Sequence, residues 1–380
     1  MSGPLTGIKV VELAGLGPAP YACMLLADAG AQVIRLERSD PDASTWDGPW
    51  WDLLNRSRPS VAIDLKKPSA VALVLDLVED ADVLIEGFRP GVAERLGIGP
   101  KECSARNDRL VYGRMTGWGQ QGPLANTAGH DINYISLSGA LWPIGRADEP
   151  PVPPLNLVGD FGGGSLMLVF GVLAALLERN QSGKGQVVDA AMIDGSASLL
   201  TMMFAFHQLG AWKQSRGVNT LDTGAHFYEV YETADGGYFS VGPLEEKFYT
   251  ALLEGLGLKD AELPDQLDES KWPEMKELFA SIFLTKTRDE WSEIFNGTDA
   301  CAAPVLSPFE AHLHPHLGAR ETYIEVDGVI QPGPAPRFSR TPSKVSKSAS
   351  KPGADTDDAL RLWGIDDKRL KLLHSEAAIS

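Results

Sequence analysis

Hydrophobic runs of strand length alternate with segments of helical periodicity along the first half of the chain. Ile8 to Leu13 predicts a buried strand, Tyr21 to Ala29 a helix after a Gly/Pro loop at 14–20, and Ala31 to Leu36 a second strand. A strand, a helix and a strand in succession form a β-α-β unit, which is typical of a parallel sheet. The alternation continues at Val61 to Leu65, Ser69 to Val78, Ala81 to Glu86, Ala93 to Leu96 and Leu110 to Met115. The pattern therefore predicts an α/β fold.

A further apolar segment, Ser165 to Arg179, is hydrophobic nearly all round, which predicts a buried helix. Val187 to Ala190 predicts a short strand, and Ile193 to Leu209 predicts one more helix. The longest apolar stretch, Leu166 to Leu177, is shorter than the roughly 20 residues that cross a bilayer. We therefore expect no membrane contact.

The pattern changes after Trp212. Tyr228 to Gly242 contains two alternating runs around Ala234 to Gly237, which predicts a hairpin. Helices are predicted at Glu246 to Leu253, Trp272 to Leu284, Arg288 to Phe295, Thr356 to Leu362 and Asp366 to Leu373, with a proline-rich linker at 332–342. We expect a large α/β domain at 1–205, a linker at 206–224, a small α+β domain at 225–320, and a return linker with C-terminal helices at 321–380 that join the large domain.

Charge and cysteine content narrow the possible functions. A chain of 380 residues with net charge −17 repels phosphate backbones, so we expect no nucleic-acid partner. A phosphate-bearing ligand must then be bound by local Arg and Lys clusters or by helix N-termini. Cys23, Cys103 and Cys301 form no C-x-x-C pair, which argues against structural zinc and against a disulfide framework. The first residues do not resemble a signal peptide, and from these features together we expect a cytoplasmic protein.

One motif imitates a dinucleotide-binding fingerprint but lacks its chemistry. Gly15-Leu16-Gly17 lies between a predicted strand and a helix, and Glu37 follows about twenty residues later. Pro20 replaces the third glycine, and Pro18 and Pro20 remove two N–H donors from the loop that would hold the pyrophosphate. We expect this loop to form a floor for an acyl chain or a pantetheine arm instead of a nucleotide site.

His130 is a candidate general base. It precedes a helix predicted to begin near Asp131, and the positive end of a helix dipole favours the neutral imidazole that a base requires. A histidine that caps the helix or packs in the core fits the residues equally well.

Asp160 and Glu245 are candidate site carboxylates. Asp160 precedes the glycine run Phe161-Gly162-Gly163-Gly164, whose backbone can approach a ligand closely. An N-cap is the commoner role of a lone Asp before a helix, but the glycine run favours a functional role. Glu245 follows the predicted hairpin, and on the residues alone its simplest role is the N-cap of the next helix.

Basic residues gather near the ends of the first predicted strands, where open α/β sheets bind ligands. They are Arg38, Arg56, Arg58, Lys66, Arg89 and Arg95. Each is either a contact for the phosphates of an adenosine nucleotide or CoA, or part of a solvated basic face.

These segments together resemble the α-methylacyl-CoA racemases, a branch of the family III CoA-transferases. The resemblance runs from VVELAGLGPAPYACMLLADAGAQVIRLER through SVAIDLKKP, GHDINYISLSG, PLNLVGDFGGGSLM and GKGQVVDAAM to TDACAAPVL. It implies a Rossmann-like large domain with a smaller α+β domain in an interlocked homodimer. The active site would lie between the large domain of one subunit and the small domain of its partner.

The resemblance also implies residue roles. His130 and Asp160 match the catalytic positions of the family, and Glu245 resembles a Glu that the partner subunit brings near the His. Its CoA-binding positions correspond to Arg38, Ile63, Asp64, Leu65, Lys66, Arg89, Arg95, Gly129, Asp131, Ile132, Asn133 and Tyr134. No metal or redox cofactor is expected, and CoA is part of the substrate.

The implied reaction is the interconversion of (2R)- and (2S)-2-methylacyl-CoA through an enolate, with His130 and Asp160 on opposite faces. We expect burial to raise the Asp160 pKa. We also expect the Asp160 backbone N–H, or a neighbour in the glycine run, to stabilise the enolate oxygen. The alternative is a CoA-transferase of the same superfamily that uses Asp160 as a nucleophile; that chemistry needs no second base at His130.

Overall fold

The computed structural model describes residues 2–38 and 52–380. The chain divides into two compact units. The first comprises 1–138, 155–199 and 318–380, and the second comprises 139–154 and 200–317. The second unit thus includes 139–154, which lies within the predicted large domain, and its longer segment begins at residue 200, before the predicted linker.

The first unit alternates strands and helices. Its strands are β1 (Lys9–Leu13), β2 (Gln32–Glu37), β3 (Ser60–Ala62), β4 (Val83–Glu86), β5 (Val111–Thr116) and β6 (Val187–Ala191). Its helices as far as β6 and just beyond are α1 (Pro18–Asp28), α2 (Pro68–Glu79), α3 (Val92–Leu96), α4 (Pro100–Arg106), α5 (Asp131–Ser138), α6 (Leu166–Ser182) and α7 (Met192–Leu199), with a π-helical turn at Leu157–Ser165. The strands and helices predicted between Ile8 and Ala190 are therefore present within a few residues of their expected bounds.

These six strands form one sheet in the order β3-β2-β1-β4-β5-β6, and every neighbouring pair is parallel. The order reverses between β1 and β4, which is the point where doubly wound sheets bind ligands beyond the carboxyl ends of their strands. The predicted α/β class with a parallel sheet is confirmed.

Alternate side chains of β1 enter two different hydrophobic cores. Val11 and Leu13 pack in the core that contains α2, whereas Val10 packs in the core that contains α1 and α6. Because successive side chains of a strand point to opposite faces, the burial of β1 from Val10 to Leu13 indicates a sheet that is covered on both faces.

Helix α6 differs from its prediction. Leu168, Val172 and Ala175 are buried, but Leu166, Phe170 and Leu177 are more than half exposed. The expectation of a helix buried all round is wrong for this outer face. Together with the preceding turn, the helical stretch Leu157–Ser182 is long and apolar enough to cross a membrane by length and composition, a test that core helices of soluble proteins also pass.

The predicted single helix from Ile193 to Leu209 is also wrong. The chain forms α7 and then α8 (Thr201–Gln208), and the break at Leu200 coincides with the boundary between the two units. The apolar residues of both helices mask this break in the sequence.

The second unit contains a three-stranded antiparallel sheet in the order β7 (Glu229–Glu232), β8 (Tyr238–Val241), β9 (Ala302–Val305). The predicted hairpin is β7 and β8. Its helices after α8 are α9 (Glu246–Gly255), α10 (Trp272–Phe283) and α11 (Arg288–Phe295), followed by α12 (Pro315–Ala319) at the boundary. Phe239, Phe279, Phe283 and Trp291 are fully buried among them and form the centre of this core.

The C-terminal part of the first unit contains an unpredicted hairpin, β10 (Tyr323–Val326) and β11 (Val329–Pro332), and then α13 (Thr356–Leu362) and α14 (Asp367–Ser375). Residues 378–380 return to the edge strand β3. There Asp64 donates its backbone N–H to the carbonyl oxygen of Ala378 at 2.9 Å, and Ile63 pairs with Ile379. The chain end therefore lies beside a predicted CoA-binding segment.

Candidate active site

A cavity of about 380 Å³ lies beyond the carboxyl ends of β1, β4 and β5. Its lining includes both His130 and Asp160, although they are 30 positions apart in the sequence. The Gly/Pro loop contributes Leu16 to Ala19, the segment after β4 contributes Gly87 to Pro90, and Met192 begins α7. The sheet thus brings together the two residues that the sequence predicts to be catalytic.

His130 immediately precedes α5. Its carbonyl oxygen accepts the N–H groups of Asn133 and Tyr134, and its own N–H donates to Asn133 Oδ1 at 3.0 Å. The residue therefore caps the helix with its backbone, while its side chain is exposed and lines the cavity. Packing in the core, one of the structural roles left open, does not apply.

Asp160 lies inside the π-helical turn rather than at the N-cap of α6, so the capping role does not apply. Its Oδ2 accepts a hydrogen bond from Asn156 Nδ2 at 3.2 Å. Gly17, with φ of 69°, lies against this carboxylate, and a Cβ there would be 3.2 Å from Oδ2. The glycine thereby leaves the carboxylate open to the cavity.

The pKa of Asp160 is raised. Burial is the main cause, because it penalises the charged carboxylate, and the negative charge of Asp131 acts in the same direction. The hydrogen bond from Asn156 and the charge of His130 oppose the rise. The predicted direction of this shift agrees with the structure.

Asp131 turns its carboxylate toward this turn. Its Oδ1 accepts the backbone N–H of Asp160 at 2.6 Å, and the backbone N–H of Gly159 interacts with the same carboxylate. The Asp160 N–H, one of the donors expected to stabilise the enolate, is therefore already occupied, while a donor from the neighbouring glycine run stays a prediction. The first N–H groups of α5, those of Asp131 and Ile132, have no acceptor within the helix and lie next to His130.

The rest of the Gly129 to Tyr134 segment is held by aromatic packing. The Tyr134 hydroxyl donates to the Gly129 carbonyl oxygen, and its ring contacts Trp118 edge-on with centroids 4.7 Å apart. A Cβ on Gly129 would lie 2.7 Å from the Tyr134 ring, so this glycine is sterically required. Gly129 and Tyr134 line the cavity, and Ile132 and Asn133 are exposed on α5.

A second cavity, of about 490 Å³, contains most of the other residues expected to bind CoA. Arg38 and the segment Ile63, Asp64, Leu65 and Lys66 line it, together with Glu37 and Phe88. It lies at the same carboxyl edge of the sheet, beyond β2 and β3. Phe88 lines both cavities, so they adjoin.

The remaining basic candidates divide into two groups. Arg89 lines the first cavity and Arg95 is exposed on α3. In contrast, Arg56 is buried 2.7 Å from Asp28, and Arg58 is buried 2.8 Å from Glu12. The suggestion that Arg56 and Arg58 contact phosphates or solvent is wrong, because internal carboxylates pair with both.

Glu245 belongs to the second unit, where it occupies the N-cap position of α9. Its side chain is exposed and makes no capping hydrogen bond; only its carbonyl oxygen accepts N–H groups, those of Phe248 and Tyr249. The carboxylate is therefore free for a partner outside its own helix.

Sequence reasoning missed two polar neighbours of Asp160. Asn156 lies four residues before it, one helical turn away, and this spacing was a usable signal. The inward orientation of Asp131 had no such signal, because it depends on the π-helical turn. Within residues 2–38 and 52–380, no group of three or more His, Cys, Asp or Glu is arranged to hold a metal ion.

Comparison with known proteins matches residues 5–356 to CoA-transferase family III. Alpha-methylacyl-CoA racemase of Mus musculus is 46% identical over 378 residues, which cover 99% of this chain and 97% of the relative. The protein of the same name from Homo sapiens is 44% identical with the same coverage. The crystal structure of a CAIB/BAIF family protein from Brucella suis has a TM-score of 0.82 at 25% identity, and covers 96% of this chain and 100% of that one.

Proposed function

The chain belongs to CoA-transferase family III, and from this premise we propose that it is a racemase that interconverts (2R)- and (2S)-2-methylacyl-CoA thioesters by 1,1-proton transfer. The observation that carries the proposal is the placement of His130 and Asp160 in the lining of one cavity. The extended similarity to two alpha-methylacyl-CoA racemases supports it. The proposed activity is that of an isomerase of lipid and fatty-acid metabolism.

The reaction requires one group that removes the α-proton and another that delivers a proton to the opposite face. We assign these roles to His130 and Asp160. In one direction His130 takes the proton while protonated Asp160 donates, and in the reverse direction the roles exchange. The raised pKa of Asp160 supports its role as a proton donor, because burial favours the protonated form.

The enolate formed between the two transfers carries negative charge on the thioester oxygen. The N–H groups of Asp131 and Ile132 at the start of α5 are the donors best placed to stabilise it, since they are unpaired within the helix and adjoin His130. Losing one such donor typically costs about 3–4 kcal/mol of transition-state stabilisation. Proton transfer of this kind needs only these groups, so we propose a reaction without a resident cofactor.

We propose that CoA binds along the carboxyl edge of the sheet. Arg38 and Lys66 supply positive charge in the second cavity, and Arg89 supplies it in the first. The thioester would then reach His130 and Asp160 through the pantetheine arm, over the loop Leu16 to Ala19. Lys and Arg at these points would compensate for the repulsion that net charge −17 exerts on an anionic ligand.

The alternative within the family is a CoA-transferase in which Asp160 attacks the thioester. To separate the two, the protein is incubated with (2R)-2-methylacyl-CoA in D2O without an acceptor acid. Racemase activity gives deuterium at C2 and both epimers. If C2 stays protiated and only added carboxylates draw CoA from the substrate, the racemase proposal is wrong.

We further propose that the protein is a homodimer, located in the cytoplasm, in which Glu245 approaches the His130 of the partner subunit. The exposed apolar residues Leu166, Phe170 and Leu177 share the outer face of α6, and a surface of this kind is unusual on a monomer. Glu245, free of any capping bond, is available for such a contact.

Light scattering is expected to give the mass of two chains, and Phe170→Glu is expected to reduce it toward one and to abolish epimerisation. Phe170 is 71% exposed in the single chain, so a charge there is tolerated unless a partner covers it. Leu362→Glu, on the exposed side of α13, serves as the control and should stay dimeric. A fully active wild type with single-chain mass would contradict the homodimer.

A further inference from the structure

Asp131 is the residue immediately after His130, yet its side chain belongs to the surroundings of Asp160. Only 7% of Asp131 is exposed, although an acidic residue in the first turn of a helix normally faces solvent. Its Oδ1 accepts the Asp160 N–H at 2.6 Å, and the Gly159 N–H interacts with the same carboxylate. One carboxylate therefore holds the backbone on which the Asp160 side chain is mounted.

The turn is shaped to receive this carboxylate. A Cβ at Gly159 would lie 2.3 Å from Asp131 Oδ1 and 3.1 Å from a methyl carbon of Ile135. Any residue other than glycine at 159 would therefore displace Asp131. The hydrogen bond between Asp131 and the Asp160 N–H therefore requires both the carboxylate on α5 and a glycine at position 159.

The second oxygen of the same carboxylate, Oδ2, is buried and has no hydrogen-bond partner among the described residues. Leaving a charged acceptor unpaired is costly, so stability alone gives little reason to place an acid here. An uncharged acceptor of the same shape would hold the two N–H groups without that cost. The negative charge of Asp131 therefore has a role other than stabilising the fold.

We propose that Asp131 is a positioning residue for the racemisation: joined to His130 by one peptide bond and to the Asp160 backbone by a hydrogen bond, it sets the distance between the two proton-transferring side chains. This inference rests on the proposed function. A two-base reaction depends on that distance, because both groups must reach one carbon from opposite faces. A misplacement of about 1 Å can cost about 100-fold in rate.

The charge of Asp131 adds a second effect. The ionised groups that act on the Asp160 carboxyl are Asp131 and His130, with Tyr134 of α5 and Arg89 close to the same cavity. Removing the negative charge of Asp131 removes one of the causes that raise the pKa of the Asp160 carboxyl, so its proton becomes easier to lose. The pH profile of kcat/KM should then move to lower pH.

Asp131→Asn and Asp131→Ala separate position from charge. Asparagine keeps an oxygen for the two N–H groups but no charge. We expect kcat to fall by less than about tenfold and the profile to shift to lower pH. Alanine leaves both N–H groups unpaired, and kcat should fall about 100-fold. In both variants KM should stay within about threefold, because the Asp131 side chain faces the backbone of Asp160 and both substitutions leave the backbone N–H groups of α5 and the basic residues of the cavities in place.

Gly159→Ala tests the same contact from the other side and should lower kcat in the wild type but much less in the Asp131→Ala background. Asp289→Asn is the control, since Asp289 is an exposed acid in the first turn of α11. Epimerisation by the wild type is measured first, so that failure of the proposed function is recognised separately. If Asp131→Ala keeps kcat within about twofold, or if folded Asp131 variants lose activity only through KM, the positioning role is wrong.

Discussion

Replacing Asp160 with asparagine is expected to lower kcat for epimerisation about 1,000-fold in both directions, while KM stays within about threefold. The amide has nearly the same shape, and its oxygen can still accept the bond from Asn156 Nδ2, 3.2 Å from the carboxylate. Its backbone N–H can still donate to Asp131. The variant loses the ability of the side chain to donate and accept a proton near neutral pH, and general acid–base catalysis typically contributes about 10²- to 10⁴-fold.

The rates are measured from each pure epimer by optical or chromatographic separation of the products. Asp358→Asn applies the same substitution to a carboxylate that is 88% exposed on α13, and it should leave the rates unchanged. A kcat for Asp160→Asn above about one tenth of the wild-type value would mean that Asp160 does not transfer the proton.

A second large effect is expected in the core. Arg58→Met should lower the free energy of unfolding by about 3–5 kcal/mol, because it leaves the buried Glu12 without its partner. Both side chains are fully buried, with Arg58 Nε 2.8 Å from Glu12 Oε2. The two atoms are in contact but are not aligned as a hydrogen bond, so the attraction between Arg58 and Glu12 comes from their opposite charges. Arg106→Met, which breaks an ion pair whose side chains are 44% and 50% exposed, should cost less than about 1 kcal/mol.

The destabilisation of Arg58→Met should depend on pH. Burial already raises the pKa of Glu12 above its ordinary value of 4.5, and removal of Arg58 raises it further. A raised pKa in the folded state contributes stability below the unfolded value that is lost as pH rises through the folded value. Denaturant unfolding should therefore show a smaller loss at pH 5 than at pH 8. An equal loss at both values would mean that the charge of Glu12 is not the cause.

The sequence was sufficient for the α/β class and the parallel sheet because local signals determine them. Short segments rich in apolar residues, such as Lys9–Leu13 and Val111–Thr116, are typical of strands that are covered on both faces, and both segments are buried along nearly their whole length. The break between α7 and α8 was not predictable in this way, since both segments are apolar. Periodicity records how buried a segment is and says little about which unit it joins.

In the candidate site, too, some features follow from local sequence signals and others depend on the fold. His130 and Asp160 were identified from short motifs, and the cavity does contain both. The ion pairs of Arg56 and Arg58 were not identified from the sequence, because their partners Asp28 and Glu12 are more than twenty residues away along the chain. A basic residue near a strand end can bind a phosphate or a buried carboxylate, and only the fold distinguishes the two.

The most direct test of the two-base account is deuterium incorporation at C2 of each pure 2-methylacyl-CoA epimer in D2O, measured for the wild type, His130→Ala and Asp160→Asn. The wild type should exchange and epimerise both. Each variant should fail to epimerise and should exchange only the epimer whose proton the remaining base removes, so that the two variants retain opposite epimers. If both variants exchange the same epimer, or both still epimerise, His130 and Asp160 do not act on opposite faces.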